Sequence, residues 1–243
     1  MPRHQHSRCR RALLVPALAG AMLAASSVAP PPVRAAQADD LLAAAAHAAA
    51  APIPVRATAT VGRDGASDAG VVLQRGRVRY VETRAGTRAL VKPGKVVVRD
   101  GARLRKAAPD ATLDGSNVLL SDLAVVSPLT RRTPQISDTG PMGTVLTWAP
   151  PPPSPYALVV ETFDPAQSAV TRTKYYEESI SNLVKMRRDA GYTSVGGRPK
   201  PGEIVMDTVR PASTTTIALA WSEAPQAPAL GLDLLRGPSQ LAP

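Results

Sequence analysis

The stretch "RALVKPGKVVVRDGARLR", from Arg88 to Arg105, decides the fold class of this 243-residue chain. It holds three short β-prone runs, separated by Lys92-Pro93-Gly94 and by Arg99-Asp100-Gly101-Ala102. Asp-Gly supplies the positive φ angles of a type I′ turn, which is a common two-residue hairpin connection. Successive hairpins with no helical period between them predict an antiparallel meander.

Similar β-prone runs extend this pattern in both directions along the chain. "GVVLQ" (70–74) and "RVRYVET" (77–83) precede the stretch, and "YALVVETF" (156–163) opens a second series. "TTTIALAW" (214–221) has the clearest alternation, with Thr215, Ile217, Leu219 and Trp221 on one face and smaller residues on the other. The sequence therefore predicts a mainly β fold with short helices, in which one sheet face is large and apolar.

The N-terminus has the organisation of a secretory signal peptide. Four arginines between Arg3 and Arg11 precede the uncharged apolar run 12–25, and Val33-Arg34-Ala35 offers small residues at the −3 and −1 positions. We expect a signal peptide at 1–35, cleavage after Ala35, and a periplasmic mature chain without a transmembrane segment. An uncleaved anchor is the alternative. Arg10-Arg11 also resembles a twin-arginine signal, so the export route stays open.

Composition narrows the chemistry of the mature chain. Cys9 is the only cysteine and lies in the predicted signal peptide, while His47 is the only histidine beyond it. We therefore expect no disulfide, no Cys/His metal centre and no cofactor. Removing the five arginines up to Arg34 leaves 24 basic and 19 acidic residues, a net charge of about +5 in place of +10. Scattered charges and an aromatic content of 3% argue against nucleic-acid binding.

Two further segments bear on the organisation of the mature chain. Asp39-Asp40 precede the alanine-rich run 41–51 and Pro52 follows it, which predicts a helix with His47 as a surface or packing residue. "WAPPPPSPY" (148–156) is either a domain linker or a surface crossing within one sheet. Because the strands on both sides look alike, we expect a single domain at 36–243.

"LDGSNVLLSDL" (113–123) combines a serine with a nearby aspartate, which raises the possibility of catalysis. His47 is distant and in an unsuitable context, so Ser116 has no evident base, and we expect no catalytic residue and no enzyme. An enzyme acting on envelope lipid or glycan through Ser116 and Asp122 remains an alternative. A helix from Ser116, entered at Gly115 and capped by Ser116 or Asn117, would instead form a lid. One face of that helix would carry Val118, Leu119, Asp122, Leu123 and Val126.

Three stretches carry a family resemblance between Val71 and Trp221: the residues 88–123, the strand pair 156–188 with its Asp-Pro turn, and "VGGRPKPGEIVMD" (195–207). In this order they resemble the periplasmic outer-membrane lipoprotein-sorting proteins, the LolA/LolB-like family, and especially its broader uncharacterised branch. The resemblance implies a half-open antiparallel β-barrel around an apolar cavity, with short helices as a lid. It also implies a non-enzymatic carrier that accepts acyl chains of lipoproteins or other lipids and releases them elsewhere. An inner- or outer-membrane transport or signalling protein is an expected partner.

The chain departs from that family in its single Phe and two Trp, where an aromatic-lined cavity is expected, and in its proline-rich crossing. The family's functional arginine cannot be assigned to any one arginine here. An acyl chain is therefore a firmer expectation than a lipoprotein, and a periplasmic sensor that binds lipid and signals to a membrane partner is the alternative function. We expect lipid contact, or else ordinary core packing, at these wall and lid positions: Val118, Leu119, Leu123, Leu158, Val160, Ile217, Leu219 and Trp221.

Overall fold

The computed structural model describes residues 33–125, 132–141 and 143–241, which belong to one compact unit. Most of the predicted signal peptide, residues 1–32, and the predicted lid residue Val126 lie outside the described part. No helix in the described ranges is long and apolar enough to cross a membrane.

Among the described residues, thirteen strands form one sheet in which every neighbouring pair is antiparallel. The strand order is β6-β5-β4-β3-β2-β1-β15-β14-β11-β10-β9-β8-β7, and β12-β13 is a separate hairpin. Because β6 and β7 are free edges, the barrel is half-open, as predicted. The strands are β1 Ala51–Arg63, β2 Ala66–Gly76, β3 Val78–Thr83, β4 Arg88–Lys92, β5 Lys95–Asp100, β6 Arg103–Lys106, β7 Arg132–Gly140, β8 Gly143–Ala149, β9 Leu158–Asp164, β10 Ala169–Tyr176, β11 Leu183–Ala190, β12 Thr193–Val195, β13 Arg198–Lys200, β14 Glu203–Val209 and β15 Ala212–Glu223.

The two meanders predicted from the turns are joined by the long strand β1, which pairs with β2 on one side and with β15 on the other. Pro52 lies at the start of this strand, before the regular ladder resumes at Val55. A proline is tolerated there because it cannot donate to a ladder. The predicted helix exists as α1, Val33–Ala49, and so begins earlier and ends sooner than the run 41–51.

Residues on β3 and β4 alternate between two apolar clusters, which defines two faces of the sheet. Val81 and Val91 belong to the main core, whereas Tyr80 and Leu90 belong to a second cluster. We call these the inner face and the outer face. On β15, Thr215, Ile217 and Leu219 are buried toward the inner face, while Ala218 and Ala220 are exposed, so the predicted alternation is confirmed.

The C-terminal segment covers part of the outer face. Helix α2, Leu232–Arg236, packs Leu234 and Leu235 against the outer-face cluster. The Arg88 guanidinium donates to the carbonyl oxygens of Leu234, Gly237 and Pro238 at 3.3, 3.1 and 2.9 Å. The cation thereby holds the carbonyl end of the short helix, where positive charge is favourable.

Two elements cover the inner face. Helix α1 packs Ala38 and Leu42 against Leu146 of β8. The segment Leu113–Val125, which we call the plug, inserts Val118, Leu120 and Leu123 into the main core.

The predicted lid helix from Ser116 is wrong in extent, because only Leu120–Leu123 forms one turn of 3₁₀ helix. Asp114 and Gly115 take positive φ angles of 50° and 70°, which close a tight loop with a Leu113 N–H bond to the Val118 carbonyl of 2.8 Å. This loop uses backbone groups that a helix would need. The predicted caps are also wrong, since the Asp122 carboxylate accepts the Leu119 N–H at 3.0 Å.

Candidate functional site

A pocket of about 260 Å³ lies on the inner face between α1, the plug and the strands β8 to β11. This volume is slightly below the ~300–1,000 Å³ of typical small-molecule sites. Small and aliphatic side chains provide much of its wall, among them Ala45, Ala48, Val125, Pro150, Pro155 and Val159.

The proline-rich segment forms one wall of this pocket. It connects β8 to β9. These two strands pair directly with each other, and Trp148 of β8 lies opposite Val159 of β9. The segment is therefore a crossing between two paired strands of one sheet. Prolines suit an apolar wall because they have no backbone N–H that would need a partner there.

A buried ion pair anchors the plug beside the pocket. Lys185 Nζ lies 2.8 Å from Asp122 Oδ2, and the two side chains are 7% and 1% exposed. The Tyr156 hydroxyl donates to Asp122 Oδ1 at 3.0 Å. Burial and the Asp122 charge raise the pKa of Tyr156, so it remains a neutral donor. Asp122, expected on one face of a lid helix, is instead a buried anchor of the plug.

Arg187 connects the plug to β11. Its guanidinium holds Asp189 through two bonds of 2.6 and 2.7 Å and donates a third, of 2.7 Å, to the backbone carbonyl of Asp122. Burial by itself lowers the pKa of Arg187, but the attraction of Asp189 outweighs it and the net shift is upward. Two parallel hydrogen bonds of this kind fix the orientation of the guanidinium in addition to balancing its charge.

Two further cations, Arg79 and Lys200, lie deep in the pocket wall. Arg79 donates to the Leu123 carbonyl at 2.7 Å and to Gln74 Oε1 at 3.2 Å. Lys200 Nζ donates to the carbonyls of Ala49 and Ala50 at 2.9 and 3.1 Å. Among the described residues, neither cation has a carboxylate within ion-pair distance.

Burial lowers the pKa of both cations. The pKa of Arg79 falls to about 10, with repulsion from Arg187 as a second cause. The pKa of Lys200 falls to about 7, because of burial and then of repulsion from Arg79 and Arg198. Both shifts express the free energy needed to keep a charge away from water, and at Arg79 the attraction of Asp189 offsets only part of it.

The residues considered for catalysis have other contacts. Ser116 Oγ accepts the Val118 N–H at 3.1 Å, which fixes the plug loop. His47 is exposed on α1 and contacts the Arg198 guanidinium, consistent with the surface role expected for it. In the described part of the chain, no three His, Cys, Asp or Glu side chains are grouped to hold a metal ion.

None of the eight residues expected to contact lipid lines the pocket directly. Val118, Leu123, Ile217 and Leu219 are buried in the main core beside it, and Trp221 packs against that core. Leu119 is only half-buried, because its neighbour Leu120 takes the inward position. A role for these residues in lipid binding remains a prediction.

On β9, Leu158 and Val160 lie on the face turned away from the pocket. Val159 and Glu161 point inward and line the pocket, so the two predicted residues lie on the opposite face. Glu161 is buried on the inward face and accepts a 3.0 Å bond from Trp148 Nε1. A buried carboxylate with a donor is acceptable where an isolated one is not.

No protein-family model and no curated protein sequence matches this chain. Solved structures share its fold. A putative outer membrane lipoprotein-sorting protein domain from Vibrio parahaemolyticus superposes with a TM-score of 0.69 at 14% identity, covering 84% of this chain and 100% of that one. A DUF1329 family protein from Desulfovibrio piger gives 0.66 at 13%, covering 83% and 99%.

A LolA superfamily protein from Nitrosomonas europaea gives a TM-score of 0.61 at 15% identity, covering 79% of this chain and 94% of that one. At these identities the likeness concerns the fold. The chain has the LolA-like fold that the sequence resemblance implies.

Proposed function

We propose that the chain is a periplasmic carrier that holds an acyl chain of a lipid or lipoprotein on its inner face and performs no chemical step. The observation that carries this proposal is the largely apolar pocket between α1 and the plug. The LolA-like fold supports it, since one structure of this fold is described as a putative outer membrane lipoprotein-sorting protein domain.

The pocket suits hydrocarbon because α1 presents alanines to it and the β8–β9 connection presents prolines. Each methylene group moved from water into such a wall gains about 0.8 kcal/mol. At about 260 Å³ the pocket accepts one slender chain and not several together. Cargo with more than one chain therefore requires the plug to move.

The contacts of the plug suit a segment that can leave the core and return to it. Its apolar side chains are held from outside by discrete polar bonds, including the Asp122–Lys185 pair and the bonds from Arg79 and Arg187 to its carbonyls. Each of these bonds forms or breaks as a single contact, whereas a plug paired along its whole length would have to lose a continuous ladder of backbone hydrogen bonds. The plug thus replaces the predicted lid helix as the proposed gate.

A pair of variants on adjacent residues of α1 tests the pocket. Ala45 lines it and is buried, whereas Ala44 is exposed on the same helix. Ala45→Phe should fill the pocket and reduce the affinity for a fluorescent fatty acid about tenfold or more. Ala44→Phe should leave the affinity unchanged and serves as the matched control.

The same purified protein is extracted for mass spectrometry and mixed with donor and acceptor vesicles. Co-purified lipid, uptake and transfer between vesicles are expected. Uptake without transfer would favour the sensor function over the carrier. Absence of both bound lipid and uptake, or equal uptake by the two variants, would refute the proposed function.

A further inference from the structure

Arg79 and Lys200 are linked through one network at the deep end of the pocket. Both the Gln74 side-chain amide and Lys200 donate to the carbonyl of Ala49, at 2.7 and 2.9 Å. Gln74 in turn accepts from Arg79 Nε at 3.2 Å. Because Gln74 and the Ala49 carbonyl connect the two cations, strands β3 and β13 bring two positive charges to the same part of the wall.

The carboxylates that line the pocket already have donors. Asp122 is held by Lys185 and Tyr156, Asp189 by Arg187, and Glu161 by Trp148. These carboxylates are thus occupied elsewhere in the wall. Among the described residues, Asp189 attracts Arg79 but is paired with Arg187, and no carboxylate lies within ion-pair distance of Arg79 or Lys200.

Hydrogen-bond capacity is also left over at this point. An ammonium has three N–H donors and a guanidinium has five. Bonds to described residues take up two donors of Lys200 and two of Arg79. Lys200 is only 1% exposed and Arg79 8%, yet both line the pocket, so what they present faces the cavity and not bulk solvent.

We propose that Arg79 and Lys200 form a subsite for one anionic headgroup, a carboxylate or a phosphate monoester, at the end of the hydrocarbon chain that the pocket holds. This inference rests on the proposed function and specifies the class of ligand. An anion there gains two charge-assisted bonds in a site of low dielectric, where such bonds are strong. Burial and repulsion between like charges lower the pKa of both cations, and a bound anion would oppose both effects.

A purely structural role for Lys200 makes a different prediction. The Ala49 and Ala50 carbonyls lie at the end of α1, where a lysine is a favourable cap. Capping accounts for those two bonds, but it does not account for Arg79 beside it or for the opening of both side chains onto the pocket. A cap would also be indifferent to the charge of a bound amphiphile.

Three ligands with a twelve-carbon chain separate these roles when measured by calorimetry: dodecanoate and dodecyl phosphate below their micellar concentrations, and dodecanol below its solubility limit. We expect the two anions to bind at least about tenfold more tightly than the alcohol. Preference for dodecanoate points to a fatty acid, and preference for the phosphate points to a phospholipid headgroup.

Lys200→Met and Arg79→Met should each bring the anion-to-alcohol affinity ratio close to one while the affinity for dodecanol is retained. Lys95→Met, which changes an exposed lysine on β5, is the matched control and should keep the ratio. Equal binding of all three ligands by the unmodified protein overturns this subsite and leaves the carrier intact. Persistence of the preference in both variants also overturns it, and binding of none of the ligands refutes the proposed function itself.

Discussion

The substitution Asp122→Ala tests whether the plug depends on its buried ion pair. Asp122 accepts from Lys185 at 2.8 Å, from the Tyr156 hydroxyl at 3.0 Å and from the Leu119 N–H at 3.0 Å. Alanine removes all three bonds and leaves the Lys185 ammonium 7% exposed and without its carboxylate. It also leaves a buried tyrosine hydroxyl without its acceptor.

Breaking a buried pair by removing one partner costs about 3–5 kcal/mol. In a protein of this size, each kcal/mol lowers the melting temperature by roughly 2–4 °C. We therefore expect Asp122→Ala to lower the melting temperature by about 6–20 °C. The plug should show the effect first, as faster hydrogen exchange at Leu119 to Leu123.

Urea unfolding followed by circular dichroism isolates the interaction free energy of the ion pair when it is applied to Asp122→Ala, Lys185→Met and the double variant. The double variant should be more stable than Asp122→Ala, because it no longer contains an unpaired buried ammonium. A free-energy loss below about 1 kcal/mol for Asp122→Ala, or losses that simply add in the double variant, would refute the reasoning.

Three other predictions follow from particular residues. Burial lowers the pKa of Lys200 from 10.5 to about 7, so between these pH values the unfolded chain binds more protons than the folded one. The free energy of unfolding should therefore rise from pH 7 to about pH 10. Urea titrations at the two pH values should show this rise for the unmodified protein and not for Lys200→Met. Gly143→Ala should lower stability more than Gly86→Ala in thermal unfolding, because both glycines have positive φ but only at Gly143 would the new methyl group overlap a backbone carbonyl of β9. Leu123→Asp should cost about 3 kcal/mol or more in urea unfolding and Leu119→Asp less than about 1, and equal losses would contradict the placement of Leu123 in the core.

The sheet could be predicted from the sequence wherever alternation and turn chemistry agree. On β15 the residues Thr215, Ile217 and Leu219 alternate with alanine, and the Asp100-Gly101 turn falls between β5 and β6, with Asp100 closing β5. Alternation assigns faces by polarity, so it fails where a buried polar residue has a partner. Glu161 is such a residue, because it is buried on β9 and accepts a bond from Trp148.

The plug could not be predicted because its conformation depends on distant parts of the chain. The Asn117 amide donates to the carbonyls of Met206 and Ser213 at 3.0 and 2.9 Å, across 89 and 96 residues. The Asp122–Lys185 pair spans 63 residues. Helical spacing of apolar residues is a local signal, and here the tertiary bonds outweigh it. The same holds for Arg79 and Lys200, whose neighbours in the sequence give no sign of a shared site.

The energetics of the plug bear on how a carrier of this kind would exchange its cargo. Fully burying an aliphatic side chain gains about 1.5–3 kcal/mol, so Val118, Leu120 and Leu123 together gain on the order of 5–9 kcal/mol in the core. Ten methylenes of an acyl chain entering the same space would gain about 8 kcal/mol. Because the two gains are similar, neither the plugged nor the loaded state is favoured strongly by hydrocarbon burial alone. The polar bonds to Asp122 and Leu123 favour the plugged state, and a headgroup bound at Arg79 and Lys200 favours the loaded one, so these small polar contributions set the direction of exchange.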